Sequence, residues 1–296
     1  MTNAGGNVAI HLSQTAKNTP NQLALVCGAK VPSFPSLSFA ELDQVVNRAV
    51  AELVKANIEH GDKTLLFVNP GPGLIIWAFA LFRLGAIPVV IDPGMGIKSF
   101  LSCIKRTKPR AMVGISKAFW LAHLLPGTFR CVKRRYLVRP GHYGNIVDQG
   151  GQNPLKPTNS NDLAAIVFTS GSTGSPKGVR YLHRNFDAQI DALHSVFGME
   201  AGEVDLTTLP IFGLFNPALG ITSVLPEIDP RHPALADPKK IVSPIFKHNV
   251  TSVFASPVIG KKIAYACQAE NLKLTNLRRF FMAGAPVPPT LVANLQ

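Results

Sequence analysis

Residues 63–91 constrain the fold more than any other stretch of the chain. Lys63-Thr-Leu-Leu-Phe-Val-Asn69 is an apolar run of strand length, and Pro70-Gly71-Pro72-Gly73 ends it with a turn. Residues 74–84 follow as an apolar helix. A turn at Leu84-Gly85-Ala86 then leads into a second apolar strand, Ile87–Ile91. Strands that are apolar on both faces must be covered on both faces, which is the condition of a parallel sheet packed under helices. Strand, helix and strand in this order make a β-α-β unit, so an α/β fold is expected. The rhythm continues with a helix expected over 98–106, a strand over Ala111–Gly114 and a helix over 116–125.

The stretch 74–92 is apolar enough to suggest a membrane span, but Arg83, Gly85 and Pro88 interrupt it. A span needs roughly 20 mostly apolar residues, so the protein is not expected to be transmembrane. The N-terminus has no basic segment followed by an apolar core, as a secretory signal would. Cys27, Cys103, Cys131 and Cys267 are scattered with no CxxC pair. This spacing argues against a disulfide framework or a zinc site and fits a reducing, cytoplasmic setting.

Between residues 140 and 161 the composition turns to Gly, Asn, Pro, Gln and Ser, as in a surface linker. A second α/β region follows. It comprises a strand Leu163–Thr169, a Gly-rich loop, and a helix over about 184–197. Asp237-Pro238 and Ser256-Pro257 each provide an N-cap followed by proline at the first helical position. Strands are expected over 251–255 and Arg279–Met282. This pattern predicts one lobe over 1–150 and a second over 161–296. Residues 289–296 begin a helix without a stop signal, so the second lobe is expected to be incomplete.

The net charge is +13 and unevenly spread. Eleven Lys or Arg, from Lys98 to Arg139, fall in 93–147 with no Asp or Glu among them. Such a field suits an anionic surface or an acidic partner protein, or it is simply a solvated face. It lacks the interleaved aromatics of a nucleic-acid groove, so no nucleic acid is expected as a partner.

The chemistry concentrates in Phe168-Thr-Ser-Gly-Ser-Thr-Gly-Ser-Pro-Lys-Gly-Val179. Its glycines permit tight turns that present backbone N–H groups to an anion. Thr169, Ser170, Ser172 and Thr173 add hydroxyls, and Lys177 adds a positive charge. Following a buried strand, such a loop is suited to hold phosphate. It is not a Walker A loop, because Pro176 precedes Lys177 and Gly178 follows it.

Thr169 to Gly178, T-S-G-S-T-G-S-P-K-G, resembles the phosphate-binding signature of the adenylate-forming superfamily of acyl-CoA synthetases, adenylation domains and luciferases. Leu84-Gly-Ala-Ile-Pro-Val-Val-Ile-Asp-Pro93 and Gly284-Ala285-Pro286 are similar to two further segments of that superfamily. Within it, Gly198 to Leu206, Phe215 to Gly220 and Ala283 to Pro289 resemble the olefin-pathway β-lactone synthetases.

The resemblance implies the layered parallel-sheet lobes of that superfamily's large N-terminal domain, with ATP and Mg²⁺ as cofactors. It implies that Ser170, Gly171, Ser172, Thr173, Gly174 and Lys177 hold the nucleotide's phosphates. Lys177 would be the catalytic cation, and Thr169 would offer its hydroxyl to the metal. Gly284, Ala285 and Pro286 would pack along the adenine or the acyl-AMP.

Many acyl-CoA ligases carry a "PLFH" pattern where this chain, expected to be a strand there, reads Leu209-Pro-Ile-Phe-Gly-Leu-Phe215. Phe212 and Phe215 are either core residues or walls of an acyl pocket. His183 caps the helix after the loop or joins the site.

The superfamily's metal-binding glutamate, ribose-binding aspartate and C-terminal lysine are expected beyond Gln296, with the small C-terminal domain. The 296-residue chain by itself is therefore expected to be inactive. For the whole protein the resemblance implies adenylation of a long-chain 3-hydroxy acid and closure to a β-lactone. A fatty acyl-CoA ligase and a truncated, non-catalytic interaction module are the alternatives.

Overall fold

The computed structural model describes residues 6–28, 36–139, 155–169 and 176–295, apart from the side chains of Pro93 and Thr169. Its elements alternate as the β-α rhythm requires. In chain order they are α1 (Ile10–Asn18), β1 (Leu23–Cys27), β2 (Leu37–Ser38), α2 (Phe39–Lys55), β3 (Lys63–Phe67), α3 (Pro72–Leu84) and β4 (Ile87–Ile91). Next come α4 (Ile97–Thr107), β5 (Ala111–Gly114), α5 (Ser116–Leu124), α6 (Pro126–Phe129), β6 (Arg134–Leu137), β7 (Leu163–Thr169), β8 (Lys177–Leu182) and α7 (His183–Ser195). The remainder are β9 (Val204–Thr207), α8 (Asn216–Leu219), β10 (Thr222–Leu225), α9 (Pro238–Lys247), β11 (Ser252–Ala255), α10 (Pro257–Ala269), β12 (Arg279–Met282) and α11 (Pro289–Leu295).

Local signals set most of these bounds. Pro72 opens α3, and Gly85 closes it with the left-handed backbone that glycine adopts without strain. α2 starts on a full capping box: Ser38 Oγ accepts from the Glu41 N–H, and the Glu41 carboxylate accepts from the Ser38 N–H. Asp237 and Ser256 cap α9 and α10 as expected.

Two six-stranded sheets result. The first runs β6-β5-β3-β4-β7-β8 and the second β12-β11-β9-β10-β1-β2. All pairings are parallel except β7 with β8 and β1 with β2. The expected parting of lobes at residues 150–161 does not separate the sheets. β7 pairs with β4 in the first sheet, while β1 crosses to pair with β10 in the second. Both are short apolar strands that need neighbours on each edge and cover on each face, and the sheet interiors supply these wherever along the chain the strands lie.

Three hydrophobic clusters define five layers. The outer face of the first sheet packs on α4, α5 and α6 through Leu65, Met112, Ile104 and Phe129. The outer face of the second packs on α9 and α10 through Leu206, Val253, Ile241 and Ile263. Between the sheets lie α1, α2, α3 and α7, whose buried residues join Leu66 and Val113 of the first sheet to Leu25 of the second. α3 is therefore buried nearly all round, which explains why its sequence looked like a membrane span. Among the described residues, no helix is long and apolar enough to cross a membrane.

Candidate functional site

β7 carries the apolar run Leu163–Thr169 to the edge of the core, and β8 returns antiparallel from Lys177, with Thr169 and Lys177 as register partners. The ends of the donor-rich loop are therefore clamped side by side. Ser170, Gly171, Ser172, Thr173 and Gly174 lie outside the described residues. Lys177 is exposed at the start of β8 and makes no ion pair among the described residues.

Two contacts hold this strand pair. Gly178 crosses the Phe168 ring so closely that an added Cβ would come within 3.0 Å of it. The Arg106 guanidinium of α4 donates to the Pro176 carbonyl at 2.6 Å and lies 5.9 Å from the Phe168 ring centroid. In the sequence Arg106 is one of the eleven cations of residues 93–147. Nothing local distinguished it from the others, because its partners lie about 70 residues away. Arg134 is likewise engaged internally, with Glu59 and Asp62. The other cations from Lys98 to Arg139 are exposed.

A cavity of about 860 Å³ opens between the sheets and reaches the C-terminal ends of β4 and β7 at Asp92 and Phe168. That is the end of a parallel sheet where ligands bind in open α/β folds. Phe212 and Phe215 both line it. Phe212 stacks on Phe254 at 3.9 Å between centroids, and Phe254 continues to Phe281. Phe215 packs on Phe186, which touches Phe82 and Tyr181.

The segment expected as a strand over 209–215 is instead a 3-10 turn, Phe212–Leu214, leading into α8. Pro210 and Pro217 lack the N–H groups that a ladder strand needs, so the strand ends at Thr207. The turn allows both phenylalanines to face the cavity, whereas strand alternation would have placed Phe212 and Phe215 on opposite faces.

Gly284, Ala285 and Pro286 form an exposed bend after β12, and Gly284 borders the cavity. His183 is buried at the start of α7. Its Nδ1 accepts from the Val8 N–H at 3.2 Å, and burial pushes its pKa down. It ties α1 to α7 and does not border the cavity. At the start of α7 it is Asn185 Oδ1 that accepts from the Leu182 N–H, at 2.9 Å.

Asp205 on β9 was not foreseen. It borders the cavity and is only 4% exposed. Thr207 Oγ1 donates to one carboxylate oxygen at 2.6 Å and Asn216 Nδ2 at 3.1 Å, while Ser252 Oγ donates to the other at 2.9 Å. Burial pushes the carboxyl pKa up, and these three donors pull against it. The sequence signal was present: a lone Asp inside Val-Asp-Leu-Thr, where a buried parallel strand would otherwise be apolar. No group of three or more His, Cys, Asp or Glu able to hold a metal occurs among the described residues.

The AMP-binding enzyme family profile matches residues 12–296. Among curated relatives, the olefin beta-lactone synthetases of Stenotrophomonas maltophilia and Xanthomonas campestris are each 39% identical to this chain over 98% of its length. The chain spans about half the length of these relatives, 54% of each. A long-chain-fatty-acid-CoA ligase of Archaeoglobus fulgidus superposes with a TM-score of 0.83 at 21% identity, over 100% of this chain and 61% of its own. The O-succinylbenzoate coenzyme A synthetase of Bacillus subtilis, in complex with AMP, superposes with a TM-score of 0.77 at 19% identity, over 96% and 55%. At these identities the structures share the fold alone.

Proposed function

The chain belongs to the AMP-binding enzyme family, and from that premise we propose that the whole protein uses ATP to activate a long-chain 3-hydroxy acid as its acyl-AMP and then closes a β-lactone. The observation that carries this proposal is the aromatic cavity of about 860 Å³, which ends beside Phe168 at the root of the loop. A long acyl chain fits such a largely apolar space, and its carboxylate would lie at the end bordered by Phe168, beside the ends of β7 and β8. The olefin beta-lactone synthetases, at 39% identity, support this choice of product.

In the first step a carboxylate oxygen bonds to the α-phosphorus of ATP, and pyrophosphate leaves. In the second the substrate's own hydroxyl oxygen bonds to the acyl carbon, AMP leaves with the electron pair, and the hydroxyl proton is released. Lys177 and the loop donors Ser170 to Gly174 hold the phosphates and stabilise the charge that develops on them. Gly284, Ala285 and Pro286 lie along the adenine, and Phe212 and Phe215 line the acyl chain.

The donor set suits Mg²⁺, which takes hard oxygen ligands and is commonly held by one or two protein groups plus phosphates. In this proposal Thr169 is the residue that offers it an oxygen. Bound there, the metal would neutralise charge on the triphosphate.

Ring closure needs no second substrate. The nucleophile is carried by the acid itself and is held beside its own activated carboxyl, so it does not have to be captured from solution. The test is to incubate the whole protein with ATP, Mg²⁺ and a 3-hydroxy acid, with and without coenzyme A, and to read products by mass spectrometry. Lactone, AMP and pyrophosphate are expected, unchanged by coenzyme A. Acyl-CoA formation, with plain fatty acids turning over equally well, would assign the protein as a ligase and end the lactone proposal.

A further inference from the structure

The inner face of the second sheet is polar where it borders the cavity, at Asp205. Leu206, Val224 and Val253 turn outward into the α9–α10 core. Their neighbours Asp205, Ser223 and Ser252 turn the other way and stand side by side, Asp205 in register with Ser223 on β10 and with Ser252 on β11. Asn216 of α8 reaches down onto the same row, donating to Asp205 and to Ser223 Oγ at 2.9 Å. Asp205, Thr207, Asn216, Ser223 and Ser252 are all buried. Placing a carboxylate here costs desolvation that an apolar residue would avoid, and the remaining wall of the cavity is largely aromatic and aliphatic.

The carboxylate is partnered but not saturated. Among the described residues, one oxygen accepts from both Thr207 and Asn216, whereas the other accepts from Ser252 alone. A carboxylate offers about four acceptor sites, so one remains on the Ser252 side. No Lys, Arg or His forms an ion pair with Asp205 among the described residues. A carboxylate held in orientation by neutral donors, with an acceptor site left and a face on an acyl-sized cavity, suits a neutral hydroxyl donor.

We infer that Asp205, held by Thr207, Asn216 and Ser252, is the group that recognises the hydroxyl of the hydroxy-acid substrate. This rests on the proposed acyl adenylation and adds the residue that selects among acids. Asp205 accepts the hydroxyl's hydrogen bond and fixes the carbon that bears it relative to the carboxylate. An acid without that donor leaves a buried carboxylate short of one partner, and so binds less well in the transition state.

The experiment compares three acids of equal chain length in the whole protein: 3-hydroxy, 3-fluoro and unsubstituted. Pyrophosphate release reports adenylation alone, before any ring closure. Wild-type kcat/KM should favour the hydroxy acid over both others by roughly 10- to 100-fold, the range of a hydrogen bond to a charged group. The Asp205→Asn variant should bring the three within about threefold of one another by slowing only the hydroxy acid. This ratio does not depend on how much of the variant folds.

The wild-type comparison of hydroxy with fluoro acid tests the inference even if Asp205→Asn does not fold. A wild type that does not discriminate overturns it. So does a variant that loses activity on all three acids in proportion, since Asp205 would then only fasten α8 to the sheet. The 3-ammonio acid, run as a fourth substrate and preferred over the 3-hydroxy acid, would also overturn it, by making Asp205 a cation site. Failure of the wild type to adenylate any of the acids would instead bring down the proposed function itself.

Discussion

The two sheets share the same central helices, yet their inner faces differ in chemistry. In the first sheet both faces are apolar: Leu66, Val113 and Ala165 look inward, while Leu65, Met112 and Ile166 look outward. In the second only the outer face is, and the inner face carries Asp205, Ser223 and Ser252. A sheet that only has to be buried can be apolar throughout. One that borders a cavity can carry polar groups, provided that each finds a partner. The first sheet thus acts as scaffold, and in the proposed function its chemistry lies at a strand end, in the loop after β7. The second carries its polar groups in mid-strand, on the floor of the cavity.

The largest expected effect tests whether the two sheets are one body. Trp77 on α3 is 1% exposed and packs on Tyr136 of β6 at 4.8 Å between centroids. Trp77→Ala should cost about 3–5 kcal/mol. Cys103 lies in the outer core of the first sheet, and Cys267 packs against that of the second. In urea the two thiols should become reactive at the same concentration, in the wild type and in the variant alike. Exposure at separate concentrations would divide the sheets into independent units.

Next comes the first sheet's strand end. Lys177→Ala should remove about 2–4 kcal/mol of transition-state stabilisation, read as a fall of roughly 30- to 1000-fold in kcat/KM for ATP. The melting temperature should not move, because the side chain is exposed. Unchanged kinetics would remove Lys177 from the site and leave the first sheet as scaffold alone.

A smaller effect belongs to the edge of the second sheet, where β2 runs into α2. Ser38→Ala breaks the capping box and should cost about 1 kcal/mol in urea unfolding. A neutral result would mean that the helix is held by packing of its buried face alone.

The smallest is a slope with pH. Burial holds the His183 imidazole below its ordinary value of 6.5. As pH falls through that value the unfolded chain takes up a proton and the folded chain resists, so stability should decline as the pH is lowered through 6.5. His183→Gln should flatten the decline measured by thermal melting. A parallel curve would place the titration elsewhere.

The sequence by itself determined the local pieces. Pro72 and Gly85 bracket α3, Asp237 and Ser256 open α9 and α10, and the apolar run before Thr169 is β7. Each depends on residues within a few positions of one another, where backbone sterics and capping act directly. The donor-rich loop could be proposed as a phosphate site for the same reason, since its residues are contiguous. The capping box at Ser38 and Glu41 is equally local.

Only the tertiary structure decided which strands became neighbours. β1 pairs with β10 about 200 residues away, and β7 joins β4 across the composition break. Any short apolar parallel strand is a chemically acceptable neighbour for any other, so the choice is made by burial of the whole and leaves no local mark. The same holds for the Arg106 brace and for the Asp205 cradle, whose members at 205, 207, 216 and 252 come from two strands and a helix. Hydrogen bonds act over about 3 Å, and it is the folded sheet that brings those side chains within that distance.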